Sequence, residues 1–386
     1  MSGISKIVLT FSLFSLSCAL IAQESENYEY ERSSLHIMMI KHLNQRYDDI
    51  IEDIFKDMPF PNRFNDHNLG AKVVSFAEVG GDQRFNIESF IEQVGLGQKM
   101  VAKWFNRNKE TGGMDMQLIR ERGFYNASQT DINKARASIR GIALLEDAGE
   151  ELIEKTYLLV NDISYTSKSG KTNFLKLIGS VYTQSTDGVL NEIGGFKVNV
   201  TSYLFCLKWD KELANRFYND FYTEKGAEDY KKVKAFKENK DLWTMEFLGK
   251  TESSSSETKF GKSKDARQLL IKISTRTLDQ NIAQLQREHP NFRIKAPIVD
   301  TTPIKAYVGL KEGITANTHF EVLQRCIDEE GRTEYQRIAI VKPVAEEIWD
   351  NRYMTLDEEH NSNINGTTFK KVSGGDILPG MLIREL

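Results

Sequence analysis

Residues 139–165 read IRGIALLEDAGEELIEKTYLLVNDISY, and a change of pattern inside this stretch decides the fold class. Before Thr156 the apolar residues Ile132, Ala135, Ile139, Ile142, Leu145, Ala148, Leu152 and Ile153 recur near the helical period of about 3.6. Ser128, with Asp131 three residues on, is a candidate capping box for the helix they define, which runs to about Lys155. From Thr156 to Tyr165 the chain reads as a strong strand. Helix and strand therefore alternate in one chain, and all-α and all-β readings fail.

The same alternation extends outward. Ser34 to Ile40 (SLHIMMI) is a short strand candidate. Residues 47–58 fit an amphipathic helix with Ile50, Ile51, Ile54 and Phe55 on one face, ended by Pro59 and Pro61. Ala71 to Val79 (AKVVSFAEV) is nearly continuous apolar, as a strand covered on both faces would be, and Gly80-Gly81 ends it. Residues 87–106 predict one helix with Phe90, Ile91, Val94, Met100, Val101, Trp104 and Phe105 inward. Residues 114–120 alternate as a strand that stops at Gly123. Strands are expected near 173–183, 196–209 and 242–249, a short helix over 210–222, and a polar loop at TESSSSET, 251–258. Residues 224–241 mix lysines with acids and read as a solvated face. Leu269, Leu270, Ile273, Leu278, Ile282 and Leu285 define a helix over 265–289.

After Pro290 the texture changes. Short strands are expected near 292–299, 303–308, 318–325, 335–342, 367–372 and 380–386, with turns at Glu312-Gly313, Glu330-Gly331 and Gly374-Gly375. They suit a small antiparallel barrel or sandwich. The fold expected is α+β: a mixed β-sheet with flanking helices, followed by a small antiparallel β-barrel. Its divisions are a signal peptide at 1–22, an N-terminal lead and small α/β segment at 23–69, an α+β domain at 70–290, and a β-rich domain at 291–386.

The 386 residues suit two or three domains at about 150 residues each. Twenty-one Phe, 14 Tyr and 4 Trp supply a core and exclude global disorder. The net charge of −4 gives no bulk attraction to nucleic acid. Lys6 and the apolar run from Ile7 to Ala22 read as a secretory signal cut near Ala22/Gln23. Sixteen helical residues span about 24 Å, short of a hydrocarbon core of about 30 Å, so no integral span is expected once the signal is gone. Cys18 raises lipidation as an alternative, although Ser15-Leu16-Ser17 is a poor lipobox. The mature protein is thus expected in the periplasm or outside the cell. Cys206 and Cys326 remain there, read as free thiols with a disulfide as the alternative.

No motif names a reaction. Ser169-Gly170-Lys171-Thr172 resembles the end of a phosphate loop, but Tyr165 stands where that loop needs glycine. Gly95-Leu96-Gly97 lacks the third glycine of a dinucleotide fingerprint, so these glycines serve packing or a kink. His67 beside Asp66 is a weak metal pair, and His319 reads as a solvated strand residue. Cys206 lies in an apolar strand, where a thiol is inert. Glu146, Asp147, Glu150 and Glu151 fit a solvated helix face better than a catalytic cluster. No catalytic residue, cofactor site or metal site is assigned.

The order AKVVSFAEV, QKMVAKWFNR, MDMQLIRERG, IRGIALLEDAGEELI, TYLLVNDISY, FKVNVTSYLFCLKW and ARQLLIKISTRTLDQNIAQL resembles the curli-secretion-component-like fold of bacterial envelope proteins. Gly309 to Gly313, Phe320 to Leu323 and Tyr335 to Lys342 resemble the SH3-like barrel attached to that fold in the flagellar-assembly-protein-T family. The resemblance implies a periplasmic assembly or accessory role with a protein partner or self-association, and carries over no catalytic residue. The expected function is a non-enzymatic exported envelope protein acting in assembly or partner binding. The alternative is a secreted hydrolase with paired carboxylates.

Overall fold

The computed structural model describes residues 33–42, 48–76, 82–126, 139–167, 196–257, 266–327, 333–355 and 364–386. The signal segment with Cys18, the lead at 23–32, Gly80-Gly81, the Ser128 cap, the Ser169–Thr172 turn, the strand near 173–183 and the Glu330-Gly331 turn lie outside them.

A mixed sheet of six strands carries the larger unit. Strand β1 (Ser34–His42) pairs in parallel with β2 (Asn65–Asp66), β3 (Val73–Phe76) and β4 (Thr156–Ser167). The antiparallel strands β5 (Phe196–Leu207) and β6 (Met245–Glu257) complete it beyond β4. Because side chains alternate across a strand, each strand feeds two cores. Leu35, Ile37 and Met39 enter one with Tyr157, Leu159, Val198 and Val200. Met38 and Ile40 enter the other with Leu158, Val160, Tyr203 and Phe205.

Helices α1 (Asp48–Asp57) and α8 (Ala266–Glu288) close the first core through Ile51, Ile54, Leu270 and Leu285. The second is closed by α2 (Arg84–Val94), α3 (Leu96–Trp104), α4 (Gln117–Asn126), α6 (Lys211–Asp220) and α7 (Tyr230–Glu238). Between β3 and β4 the chain also forms α5 (Ile139–Glu150), against α4. Asp210 caps α6, accepting from the Leu213 amide at 2.8 Å, and Asp229 caps α7 from the Lys231 amide at 2.8 Å.

Strands β7 (Ala296–Thr301), β8 (Ile304–Ala306), β9 (Phe320–Ile327), β10 (Thr333–Pro343), β11 (Thr367–Gly374) and β12 (Leu382–Glu385) form a closed antiparallel barrel. Closure removes exposed strand edges and selects the barrel over the sandwich. Phe320 and Phe369 meet edge-on inside it, centroids 5.3 Å apart. Phe292, just past α8, stacks on Phe64 at 5.2 Å and meets Tyr157 at 4.7 Å. Arg63 reaches Glu312 at 3.1 Å and Arg287 reaches Glu385 at 2.9 Å, so polar ties join barrel and sheet. No helix among the described residues is long and apolar enough to cross a membrane.

Several expectations change. Strands β1 and β2 lie in the main sheet, with β1 flanked by parallel partners on both sides. The helix expected over 87–106 is two, because Gly95 adopts φ 60, a left-handed conformation that ends α2. Residues 114–120 are not a strand. Met114 makes one isolated bridge to Glu224, and then the Asp115 carboxylate accepts from the Gln117 amide at 3.0 Å where α4 begins. The serine-rich stretch after Thr251 is strand, because its backbone completes a ladder with β5 that polar side chains do not interrupt. Within 224–241 a helix forms, since Val233 and Phe236 give α7 a buried side beneath its lysines.

Candidate functional site

Beside the second core lies a cleft of about 700 Å³, walled by α3, the turn that follows it, the end of α7 and the loop after β2. Helix α3 presents Lys99 and Lys103 one turn apart, with Ala102 between them. The chain then turns back: the Arg107 amide donates to the Ala102 carbonyl at 2.8 Å, and Asn106 takes φ 43. This turn places Arg107 and Lys109 on the same cleft. From α7 come Phe236 and Lys237, and from the loop after β2 come Asn68 and Leu69. The Gln98 side-chain amide donates to the Phe236 carbonyl at 2.5 Å and ties α3 to α7.

Close packing holds these helices in place. Trp243 packs against Phe236, centroids 5.5 Å apart, and its carbonyl lies where a side chain at Gly97 would stand. An added β-carbon there would sit 2.0 Å from that oxygen, so only glycine lets α3 come this near. Hence the glycine pair at 95 and 97 supplies both a helix break and a close approach.

The charge of the cleft is one-sided. Lys99, Lys103, Arg107, Lys109 and Lys237 line it, and among the described residues no Asp or Glu does. The four lysines are exposed. Arg107 is half-buried: its Nε and Nη2 are shut from solvent and meet no acceptor among the described residues. Its guanidinium lies 5.0 Å from the centre of the Phe236 ring, and burial pushes its pKa below the ordinary arginine value. Leu69, Ala102 and Phe236 supply an apolar floor. Among the described residues no histidine, cysteine or carboxylate lines the cleft, so its groups suit binding an anion rather than moving a proton near neutral pH.

The residues weighed from sequence lie elsewhere. His67 is fully buried and is no loop metal ligand: Arg122 donates to its Nδ1 at 2.8 Å, and its Nε2 contacts the Met100 carbonyl at 3.0 Å. That arrangement places the single ring proton on Nε2, and burial holds the pKa well below the usual range. Among the described residues no group of three or more acidic, His or Cys side chains is placed to hold a metal. His319 is exposed. Cys206 and Cys326 are both free, and burial pushes the Cys206 thiol up to about 12. Glu146 pairs with Arg120 at 2.8 Å. Glu150 departs from the solvated-face reading: it accepts from the Tyr218 hydroxyl at 2.6 Å, and burial raises its pKa. Sequence reading missed the cleft. Lys99, Lys103 and Arg107 at successive four-residue steps were its one local signal, masked by the apolar pattern of the same helix.

His36 offers a pH test of the buried core. It is 1% exposed, and burial lowers its pKa from near 6.5 to about 4, with Lys72 adding repulsion. Its Nε2 has no partner among the described residues, and it borders a small cavity with Phe55, Met58, Asp66 and Lys72. A histidine depressed in the fold binds its proton more readily when unfolded, so stability is lost as pH falls below 6.5. The expected loss is about 2 kcal/mol between pH 6.5 and 5. Asp279, raised by burial to about 7, contributes the opposite slope in the same window. The check is therefore the difference between wild type and His36→Leu in urea unfolding across that range. A difference that does not change with pH rejects it.

No protein-family model matches this sequence, and no curated protein matches it either.

Proposed function

We propose that this chain is a non-enzymatic exported protein of the bacterial cell envelope that acts by binding a partner, with the basic cleft between α3 and α7 as its recognition site. The observation that carries the reading is the lining itself: among the described residues, five cations, an apolar floor and no carboxylate. The α+β sheet followed by a barrel agrees with the envelope-assembly resemblance and supports the same reading. The hydrolase alternative has two acids with raised pKa in its favour, Glu150 and Asp279, but Glu146 beside Glu150 is committed to Arg120. Asp279 stands on α8 over the first core, while α5, which carries Glu150, packs on α4 over the second.

Two measurements test the proposal. N-terminal sequencing of the mature protein should begin near Gln23, and an intact Met1 in the soluble fraction rejects export. Affinity capture from the native envelope, followed by sizing, should return the chain with a partner or as an oligomer. The double variant Lys103→Glu/Lys237→Glu should lower recovery of that assembly about tenfold or more, because both lysines are exposed and their reversal turns attraction into repulsion. A lone monomer, or recovery unaffected by the double variant, rejects binding through this cleft.

A further inference from the structure

We propose that the cleft between α3 and α7 takes an organic phosphate, with its phosphoryl oxygens among Lys99, Lys103, Arg107, Lys109 and Lys237 and its apolar body against Leu69 and Ala102. This rests on the reading of the same cleft as the recognition site.

Arg107 makes the case for an external anion. In two other arginines the Nε–Nη2 edge meets a carboxylate, and in Arg276 and Arg293 it meets backbone carbonyls. Arg352 donates to Asp350 from Nε at 2.8 Å and Nη2 at 2.6 Å, and Arg267 donates to Asp57 from Nε at 3.0 Å and Nη2 at 2.6 Å. The same edge of Arg107 is turned toward Val233 and Gly112, where an added β-carbon would lie 2.9 Å from Nη2. Neither atom has an acceptor among the described residues. A half-buried charge without a counter-charge among the described residues is costly, and an anion in the cleft would offset it through space rather than by bonding to Nε or Nη2.

The number and kind of cations select the anion. Four flexible lysines around one arginine are more positive charge than a lone carboxylate needs, whereas a phosphoryl group offers several oxygens and up to two charges. Lysine binds phosphate as a point charge and needs no fixed fork geometry. The floor then asks for more than a bare ion, because inorganic phosphate would leave the part-exposed Leu69 and Ala102 uncovered. The volume of about 700 Å³ lies within the range of small-molecule sites, about 300–1,000 Å³. Asn68 and Asn106 on the rim add neutral hydrogen-bonding groups for the rest of the ligand.

A soluble phosphate compound and a phospholipid headgroup share this chemistry, and the test separates them. The full mature chain is titrated calorimetrically with inorganic pyrophosphate and with a nucleoside diphosphate. It is also sedimented with phosphatidylcholine vesicles with and without phosphatidylglycerol. At least one phosphate probe should bind, with affinity falling as salt rises. The nucleoside diphosphate should bind more tightly than pyrophosphate if the floor contributes. Lys103→Gln/Lys237→Gln, both at exposed positions, should weaken binding about tenfold or more, as should Arg107→Gln. Binding of the diphosphates alone assigns a soluble ligand. Binding only to phosphatidylglycerol vesicles assigns a headgroup. No binding by any phosphate probe, or binding indifferent to these variants, overturns the proposal. If phosphate probes fail while partner capture still depends on Lys103 and Lys237, the cleft serves an acidic partner surface, and only the phosphate assignment falls.

Discussion

Arg122→Ala is expected to lower the unfolding free energy by about 4 kcal/mol, seen as a reduced urea midpoint with unchanged slope. Arg122 is 5% exposed. Its Nη1 donates to Ser34 Oγ at 2.7 Å and to His67 Nδ1 at 2.8 Å, and its guanidinium lies 4.4 Å from the centre of the Trp104 ring. Truncation leaves the Ser34 hydroxyl and the His67 nitrogen buried without this donor, and it opens a space beside Trp104. Burial lowers the Arg122 pKa only to about 10, so the group is charged at neutral pH. Asp66 helps to keep it so. Arg122→Lys should recover little, because an ammonium cannot present the flat fork to Ser34 and His67 while lying on an indole. A loss below about 1 kcal/mol for Arg122→Ala would remove this network from the account of stability.

Gly97→Ala is expected to cost at least about 3 kcal/mol. Its β-carbon would stand 2.0 Å from the Trp243 carbonyl oxygen and 2.7 Å from the carbonyl carbon. These are backbone atoms, and a rotamer change cannot relieve them. Either α3 or the 3₁₀ turn before Trp243 must retreat. Retreat of α3 moves Lys99 and Lys103 away from Lys237, so the variant should lose anion affinity as well as stability. Unchanged thermal unfolding would show that α3 and Trp243 are not packed this closely.

Much of the architecture was legible in sequence because it is written in local periodicity. Helix α8 follows from Leu269, Leu270, Ile273, Leu278, Ile282 and Leu285, all buried in the fold. Strand β4 follows from its apolar run, and the barrel strands follow from short segments separated by turns. The errors lie where local pattern and long-range pairing compete. The serines of β6 look like a loop because their side chains are polar, yet their backbone groups bond to β5. Strand β1 is legible from its apolar run at Ser34–Ile40, but that run does not say that β4, more than a hundred residues on, pairs with it residue by residue.

The candidate site was hardly legible at all. Lys237 sits in a stretch that mixes lysines with acids, and Arg107 follows a helix whose sequence pattern is dominated by its core face. By itself the sequence determined the alternation of helices and strands, the α+β class, the strand-rich C-terminal part and the lack of a recognisable catalytic motif. Only the tertiary structure decided which distant residues meet. It brought Arg122 to Ser34 and His67, Gly97 to Trp243, and the cations of α3 and its turn to Phe236 and Lys237. The physical reason is the range of the forces that leave a mark in sequence. Burial of one face repeats every two or about 3.6 residues and is recorded locally. The convergence of charges on a cleft depends on how whole elements pack, and no single segment carries that information.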